Sequence, residues 1–144
     1  MKTYVHIFTA IAFFVRCLLL MSCSDPATET AKDKALQLLA SGTWQISTVT
    51  FDDVDETSSF SGMTLNFKKG SYTSFQGGKV WPSSGLWEFT DDNATAFVRE
   101  DDVLVTIKTL SQTSLQLTLH ADKSIFNGGR VKSISGEYVF VFGR

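Results

Sequence analysis

The chain has few residues of the types that carry metal or nucleophilic chemistry. Its 144 residues include only two cysteines and two histidines, whereas a zinc site normally needs three or four nitrogen, sulfur or carboxylate ligands. His120 is out of phase with the leucines around it, so we expect it to face solvent and not to act as the base of a nucleophilic triad. We therefore predict a non-enzyme with no catalytic residues, no metal site and no cofactor.

Basic residues are also few, at 13 against 15 acidic residues, for a net charge of −2. Nothing in the sequence builds a basic stripe, which argues against a nucleic-acid partner. The acidic stretch at residues 52–56 lacks the glycine and the downstream glutamate of an EF-hand loop. We interpret it as a solvated loop, and residues 91–93 as turn formers.

The N-terminus has the layout of a secretory signal, with Lys2 followed by an apolar segment at residues 4–21. The four residues at 20–23, Leu-Met-Ser-Cys, resemble a bacterial lipobox. That resemblance implies cleavage before Cys23, which would carry fatty acyl chains such as palmitate. The alternative is an uncleaved membrane helix, in which Arg16 would lie within the bilayer at a cost of a few kcal/mol.

The lipobox interpretation divides the chain into a signal peptide at residues 1–22, a lipidated tether at 23–27 and one domain at 28–144. Cys17 would leave with the signal and Cys23 would be acylated, so the domain could form no internal disulfide. The remaining 122 residues have 11 basic and 15 acidic side chains, or a net charge of −4. More than one acyl chain anchors a protein stably. By resemblance to enteric-type lipoprotein sorting, Ser24 favours the outer membrane, on either its periplasmic or its cell-surface face.

One short helix and eight strands are predicted after the tether. Residues 28–41 have a narrow apolar stripe at helical spacing, and Gly42 ends it. Beyond Gly42 the sequence alternates with period two and is rich in Thr, Val and Phe. The predicted strands are 44–51, 63–68, 72–75, 85–89, 95–100, 103–110, 114–121 and 136–142. The fold class we predict is all-β: an eight-stranded up-and-down antiparallel barrel preceded by one short α-helix.

Loop lengths predict that the two ends of this barrel differ. Successive loops of an up-and-down barrel alternate between its ends. The loops at 69–71, 90–94 and 111–113 are short, whereas those at 52–62, 76–84 and 122–135 are long. One end is therefore predicted to be closed by tight turns, and the other to be open and to carry long loops.

The residues Gly42, Thr43 and Trp44 resemble the Gly-x-Trp signature of lipocalins. Together with the lipobox and the short helix, they resemble lipocalin-like lipoproteins of Bacteroidetes. The resemblance implies that Trp44 lies at the closed end of the barrel. It also implies that a basic residue near the end of the chain, here Arg144, packs over the indole ring. The family is one of binding barrels, and the resemblance names no ligand.

The barrel interior is expected to be either an apolar pocket or a filled core, and the sequence leaves both open. Alternation predicts the following inward residues: Ile46, Leu65, Phe67, Trp87, Phe89, Phe97, Val105, Ile107, Leu117, Leu119, Tyr138 and Phe140. Arg99 shares its side of the strand with Phe97 and lies near the open end. It would either point inward and bind a ligand carboxylate, or be an exposed residue at the strand end that pairs with Glu100 or Asp101.

Several residues of the long loops are candidates for the same site. Trp81, Phe60 and Phe126 would line the mouth or contact membrane, or would fold back as loop anchors. Arg130 has the same two interpretations as Arg99. The candidate ligand-binding residues are thus Phe97, Arg99, Trp87, Leu119, Tyr138, Trp81, Phe126 and Arg130.

These observations give two functional expectations. The first is an outer-membrane lipoprotein, anchored through the lipid on Cys23, that binds or carries a small hydrophobic ligand in its barrel. The alternative is a filled barrel that acts as an interaction module. It would bind an envelope protein or a glycan through its long open-end loops.

Overall fold

The computed structural model describes residues 28–127 and 130–144 and confirms the predicted fold class. Eight antiparallel strands form a closed barrel in up-and-down order, with one short helix before them. The predicted signal peptide, Cys23 and the tether lie outside the described residues. Among the described residues, no helix is long and apolar enough to span a membrane.

The described residues form one α-helix, nine strands and a single turn of 3-10 helix at Thr57–Phe60. The helix α1 is Ala31–Ala40. The strands are β1 (Thr43–Phe51), β2 (Val54–Asp55), β3 (Thr64–Lys68), β4 (Ser71–Phe75), β5 (Ser84–Phe89), β6 (Ala96–Arg99), β7 (Leu104–Leu110), β8 (Ser114–Asn127) and β9 (Arg130–Gly143).

Helix α1 lies across the closed end of the barrel, against β3 and β7. It begins three residues later than predicted because Thr30 caps its N-terminus. The Thr30 hydroxyl accepts a hydrogen bond from the backbone of Asp33, whose carboxylate accepts one from the backbone of Thr30. Ala35 and Leu39 form the buried face of α1, so the helix covers the core at the closed end of the barrel.

The barrel closes where β1 pairs with β9. The pairing runs from Gln45 opposite Gly143 to Phe51 opposite Tyr138. Strand β2 is not part of the barrel, since its two residues pair only with the end of β1. It belongs instead to the segment that was predicted as a long loop at 52–62.

A β-bulge changes the inward face of β1 partway along the strand. The register with β9 shifts between Ile46 and Thr48, because a bulge places two residues opposite one. Trp44 points inward before the bulge, whereas Val49 and Phe51 are buried after it. Period-two alternation alone therefore predicts the inward residues of only the first half of β1.

The prediction of a long loop at 122–135 is wrong. Strands β8 and β9 continue past the barrel as a two-stranded ribbon that ends with Asn127 opposite Arg130. Only two residues, both glycine, separate the strands, and Gly-Gly between strand-forming residues is a hairpin signature. We call residues 121–127 and 130–136, which pair only with each other in the described structure, the arm.

Candidate functional site at the open end of the barrel

The closed end of the barrel is sealed around Trp44, whose side chain is fully buried. Its indole N–H donates to the carbonyl of Leu39 at 3.0 Å. The Arg144 guanidinium carbon lies 3.6 Å from the centre of the Trp44 ring, a cation–π contact worth about 0.5–2 kcal/mol. Arg144 also donates to the Leu38 carbonyl at 2.7 Å, where α1 leaves its last carbonyls without helical partners. Gly42 lies beside the same guanidinium.

Aromatic side chains fill the middle of the barrel. The rings of Phe67, Trp87 and Phe97 contact one another edge to face, with centroids 5.2–5.8 Å apart. The Trp87 indole N–H donates to the carbonyls of Lys68 and Ser71 near the closed end. The described interior is therefore a packed core, as is common for small barrels.

Trp81 plugs the open end from the connection between β4 and β5. Its side chain is 1% exposed and packs edge-on against Tyr72 and Phe140, with centroids 5.6 and 6.1 Å away. Glycine at position 77 leaves room for the Trp81 side chain, because a Cβ at position 77 would lie 2.5 Å from the Cβ of Trp81. The Trp81 backbone N–H closes the turn by donating to the Gly77 carbonyl at 3.0 Å.

Arg99 holds the Trp81 plug in place. It points inward and is 3% exposed, and it pairs with Asp101 through bonds of 3.0 and 2.5 Å. It also donates to the Val80 carbonyl at 2.7 Å and lies 4.8 Å from the centre of the Trp81 ring. The guanidinium keeps the pKa of the Asp101 carboxyl below its usual value. Both the inward position and the pairing with Asp101 were among the alternatives from sequence.

The indole N–H of Trp81 is the one buried side-chain polar atom in the described residues that has no hydrogen-bond partner. Leaving such a donor unpaired costs about 1–3 kcal/mol. The indoles of Trp44 and Trp87 both have carbonyl partners. Trp81 is thus held by its ring contacts and by Arg99, and not by its own polar atom.

A second plug enters from the 3-10 turn between β2 and β3. Phe60 is 6% exposed and packs edge-on against Tyr138 and Phe140, with centroids 5.9 and 5.1 Å away. Glu56, which precedes this turn, pairs with Lys123 of β8, and that pairing lowers the pKa of Glu56. The pair links the second plug to the base of the arm.

The grooves found on the described surface open to solvent. One of about 300 Å³ lies at the open end between the two plugs and the base of the arm. Its lining residues are Glu56, Ser59, Phe60, Lys79, Val80, Asp122, Lys123 and Tyr138. Burial raises the pKa of the Tyr138 hydroxyl, so this phenol remains protonated at neutral pH. The lining of the groove includes side chains of both charges, and the groove is open to solvent.

The structure brings six of the eight predicted ligand-binding residues into the barrel: Phe97, Arg99, Trp87, Leu119, Tyr138 and Trp81. Phe126 and Arg130 were assigned to a mouth loop, and this is wrong because they lie on strands β8 and β9 of the arm. Their side chains fall outside the described part of the structure. Sequence reasoning missed Tyr72 as an inward residue, although Tyr72 follows the same alternation within β4.

Within residues 28–127 and 130–144, no group of three or more His, Cys, Asp or Glu side chains could hold a metal ion. No family model matches the chain, and no match is found among curated proteins or solved structures. The geometry itself defines the class of protein. It is a closed eight-stranded antiparallel barrel, filled by aromatic side chains, with a helix over one end and two aromatic plugs in the other.

Proposed function

We propose that this chain is a lipid-anchored protein of the outer membrane whose filled barrel serves as an interaction module. Its open end and arm would bind a protein or glycan partner of the cell envelope. The observation that carries the proposal is the packed interior, with Trp81 and Phe60 inserted where a ligand would enter. A barrel whose described interior is filled by side chains offers its surface for binding.

The position of α1 supports an orientation on the membrane. Cys23 and Ala31 are eight positions apart in the sequence, and the chain between them spans at most about 28 Å. Because α1 lies across the closed end, a lipid on Cys23 would hold that end towards the bilayer. The open end and the arm would then project away from the membrane. The contact of Arg144 with Trp44 supports the resemblance to lipocalin-like lipoproteins.

A second candidate function is the carriage of a small hydrophobic molecule. The unpaired indole N–H of Trp81 favours it, as does the origin of both plugs in connections between strands. A ligand with a hydrogen-bond acceptor would displace Trp81 and occupy the space between Tyr72 and Phe140. Arg99 would then contact the ligand at the mouth.

Site-specific crosslinking in intact cells tests the interaction module. A photo-crosslinking amino acid replaces Lys79 at the open end or, as the matched control, Lys69 at the closed end of the lipidated full-length chain. Both lysines are exposed. We expect an adduct with a defined partner from position 79 and none from position 69. Equal adducts from both positions, or none, would contradict the proposal.

The carrier function has a separate readout in the mass of the purified lipidated protein. The mass is taken under native conditions and again after denaturation. A filled interaction module gives the same mass per copy of the chain in both. A mass excess that is lost on denaturation would mean a captured ligand and would favour the carrier.

A further inference from the structure

The arm carries two strand edges that have no partner in the described structure. Strand β7 pairs with β8 only as far as Leu119, and β1 pairs with β9 only as far as Tyr138. Beyond these residues β8 and β9 pair only with each other, in an unbroken register. Unpaired strand edges are templates for another strand. In the described structure the two-residue strand β2 also has an outer edge without a strand partner, but the edges of the arm are much longer.

Backbone geometry shows which residues of β9 face its free edge. The carbonyl of Glu137 accepts a hydrogen bond from the backbone of Asp52 at 2.9 Å, so the polar groups of Glu137 point away from β8. Polar groups of alternate residues in a strand point to the same side. Val131, Ser133 and Ser135 therefore turn their N–H and C=O groups towards the free edge of β9.

The same reasoning assigns the free edge of β8. The carbonyl of Ser114 accepts a hydrogen bond from the backbone N–H of Ser111 at 2.9 Å across the turn to β7. The backbone N–H and C=O groups of the even-numbered residues of β8 therefore point away from β9. In the arm these are Asp122, Ser124 and Phe126. Each edge thus offers three residues, spaced evenly about a central serine, and is a candidate for self-pairing.

We propose that the β9 edge of the arm pairs with the β9 edge of a second copy of this chain, across a two-fold axis at Ser133. This inference rests on the proposed function and names the partner of the arm. In the antiparallel pairing Ser133 meets Ser133, and Val131 of each copy meets Ser135 of the other. Three outward residues from each of two strands give six backbone hydrogen bonds.

Charge selects the β9 edge and the antiparallel direction. Strand β9 carries Arg130 and Lys132 near its tip, whereas the exposed acids Asp52 and Asp53 lie beside its base. The two-fold pairing places Arg130 opposite Gly136 of the other copy, next to that acidic turn. A parallel pairing would place Arg130 on Arg130, which is destabilising.

The β8 edge lacks this complementarity. Its arm residues contain one acid and one base, Asp122 and Lys123, next to each other at the base and none at the tip. The paired β9 edges would form a small interface, of a size typical of weak complexes. Two copies anchored in one membrane gain a high effective concentration, which offsets that weakness.

Cysteine crosslinking tests the pairing in the membrane. Ser133→Cys places two thiols at the two-fold axis, where a hydrogen-bonded antiparallel pair has its Cα atoms about 5.5 Å apart, within disulfide reach. Ser124→Cys is the matched control, because Ser124 lies directly opposite Ser133 within the arm but on the other edge. The lipidated full-length chain without an added cysteine gives the background.

We expect mild oxidation to give a disulfide-linked dimer with Ser133→Cys at several times the yield of Ser124→Cys. Equal yields, a greater yield from Ser124→Cys, or background yield from both would overturn the proposal. Each variant is first shown to unfold at the parent temperature, so that a lost dimer is not a lost fold.

A charge exchange in the Ser133→Cys background tests the ion pairing between copies. Arg130→Glu alone and Asp53→Lys alone should each lower the dimer yield several-fold, since each puts like charges at the contact. The double variant should restore it. A double variant that stays as low as the single variants would contradict the proposed register.

The outcome separates this inference from the proposed function. An adduct at position 79 with a different protein, together with background yield from Ser133→Cys, would overturn self-pairing and leave the interaction module standing. A dimer from Ser133→Cys without any adduct at position 79 would support the pairing and overturn the proposed binding of another partner at the open end. Loss of both signals would overturn both.

Discussion

Replacement of each tryptophan by phenylalanine gives a direct test of the way the barrel is plugged. Trp44 and Trp81 are both almost completely buried, at 0% and 1% exposure. The same atoms are removed in both substitutions, so the lost volume is matched. Only Trp44 donates a hydrogen bond, to Leu39 at 3.0 Å, whereas the Trp81 indole N–H has no partner among the described residues.

The difference between the two variants therefore measures one buried hydrogen bond. Trp44→Phe leaves the Leu39 carbonyl without its donor, at a cost of about 1–3 kcal/mol. Trp81→Phe breaks no such bond and removes a donor that is already unpaired. We expect Trp44→Phe to lower the free energy of unfolding by about 2 kcal/mol more than Trp81→Phe. For a domain of this size, that corresponds to a Tm difference of about 6–12 °C.

Thermal and urea unfolding followed by circular dichroism would measure both variants against the parent. Trp87→Phe serves as a second reference, since the Trp87 indole donates to two carbonyls, and it should behave like Trp44→Phe. If Trp81→Phe were as destabilising as Trp44→Phe, the argument would be refuted. The Trp81 N–H would then be bonded in solution, for example to a water molecule or a ligand.

Three further substitutions probe the ends of the barrel in the same unfolding assay. Asp101→Asn should cost about 1–3 kcal/mol at neutral pH by removing the charged partner of Arg99. The pKa of Asp101 is lowered in the fold, so its stabilising contribution is present above about pH 4 and is lost as the pH falls below that value. The difference in free energy of unfolding between Asp101→Asn and the parent should therefore disappear at low pH. A difference that does not change with pH would contradict this. Arg144→Ala should cost about 1–2 kcal/mol through the lost stacking and helix contacts, with Arg144→Lys recovering only part; full recovery would show that charge alone suffices. Gly136→Ala would place a Cβ 2.4 Å from the Phe51 ring and should lower the free energy of unfolding by about 1–3 kcal/mol. An unchanged free energy of unfolding would mean that the Phe51 ring moves aside without loss of stability.

Regular alternation made most of the fold predictable from sequence. The residues of β8 alternate strictly around Leu117, and those of β9 around Phe140, so both strands and their inward faces were predicted. Alternation fails where the backbone departs from regular pleating. The bulge after Ile46 reverses the face of β1, and no residue type marks it. The arm was missed because Gly-Gly was interpreted as part of a loop, although it is a hairpin signature.

The candidate site was predictable in composition but not in arrangement. Trp81 and Arg99 were both identified, and the inward direction of Arg99 follows from its alternation with Phe97. Their contact depends on a turn in which Gly77 lets Trp81 fold back over the barrel. This contact depends on the tertiary fold, and the periodicity of the sequence does not predict it. Whether the interior was empty or filled depended on this turn and on Phe60.

The closure of the barrel by β1 and β9 has a consequence for folding. Phe51 pairs with Tyr138 and Gln45 with Gly143, so the closing contacts join residues roughly 90 positions apart, a separation that slows folding. The loop entropy of bringing them together must be overcome before the pairing contributes. Strand β1 therefore stays without its main partner until the last strand has been synthesised. For a chain exported as proposed, crossing the inner membrane from the N-terminus, this order delays the folded barrel until the whole chain has crossed.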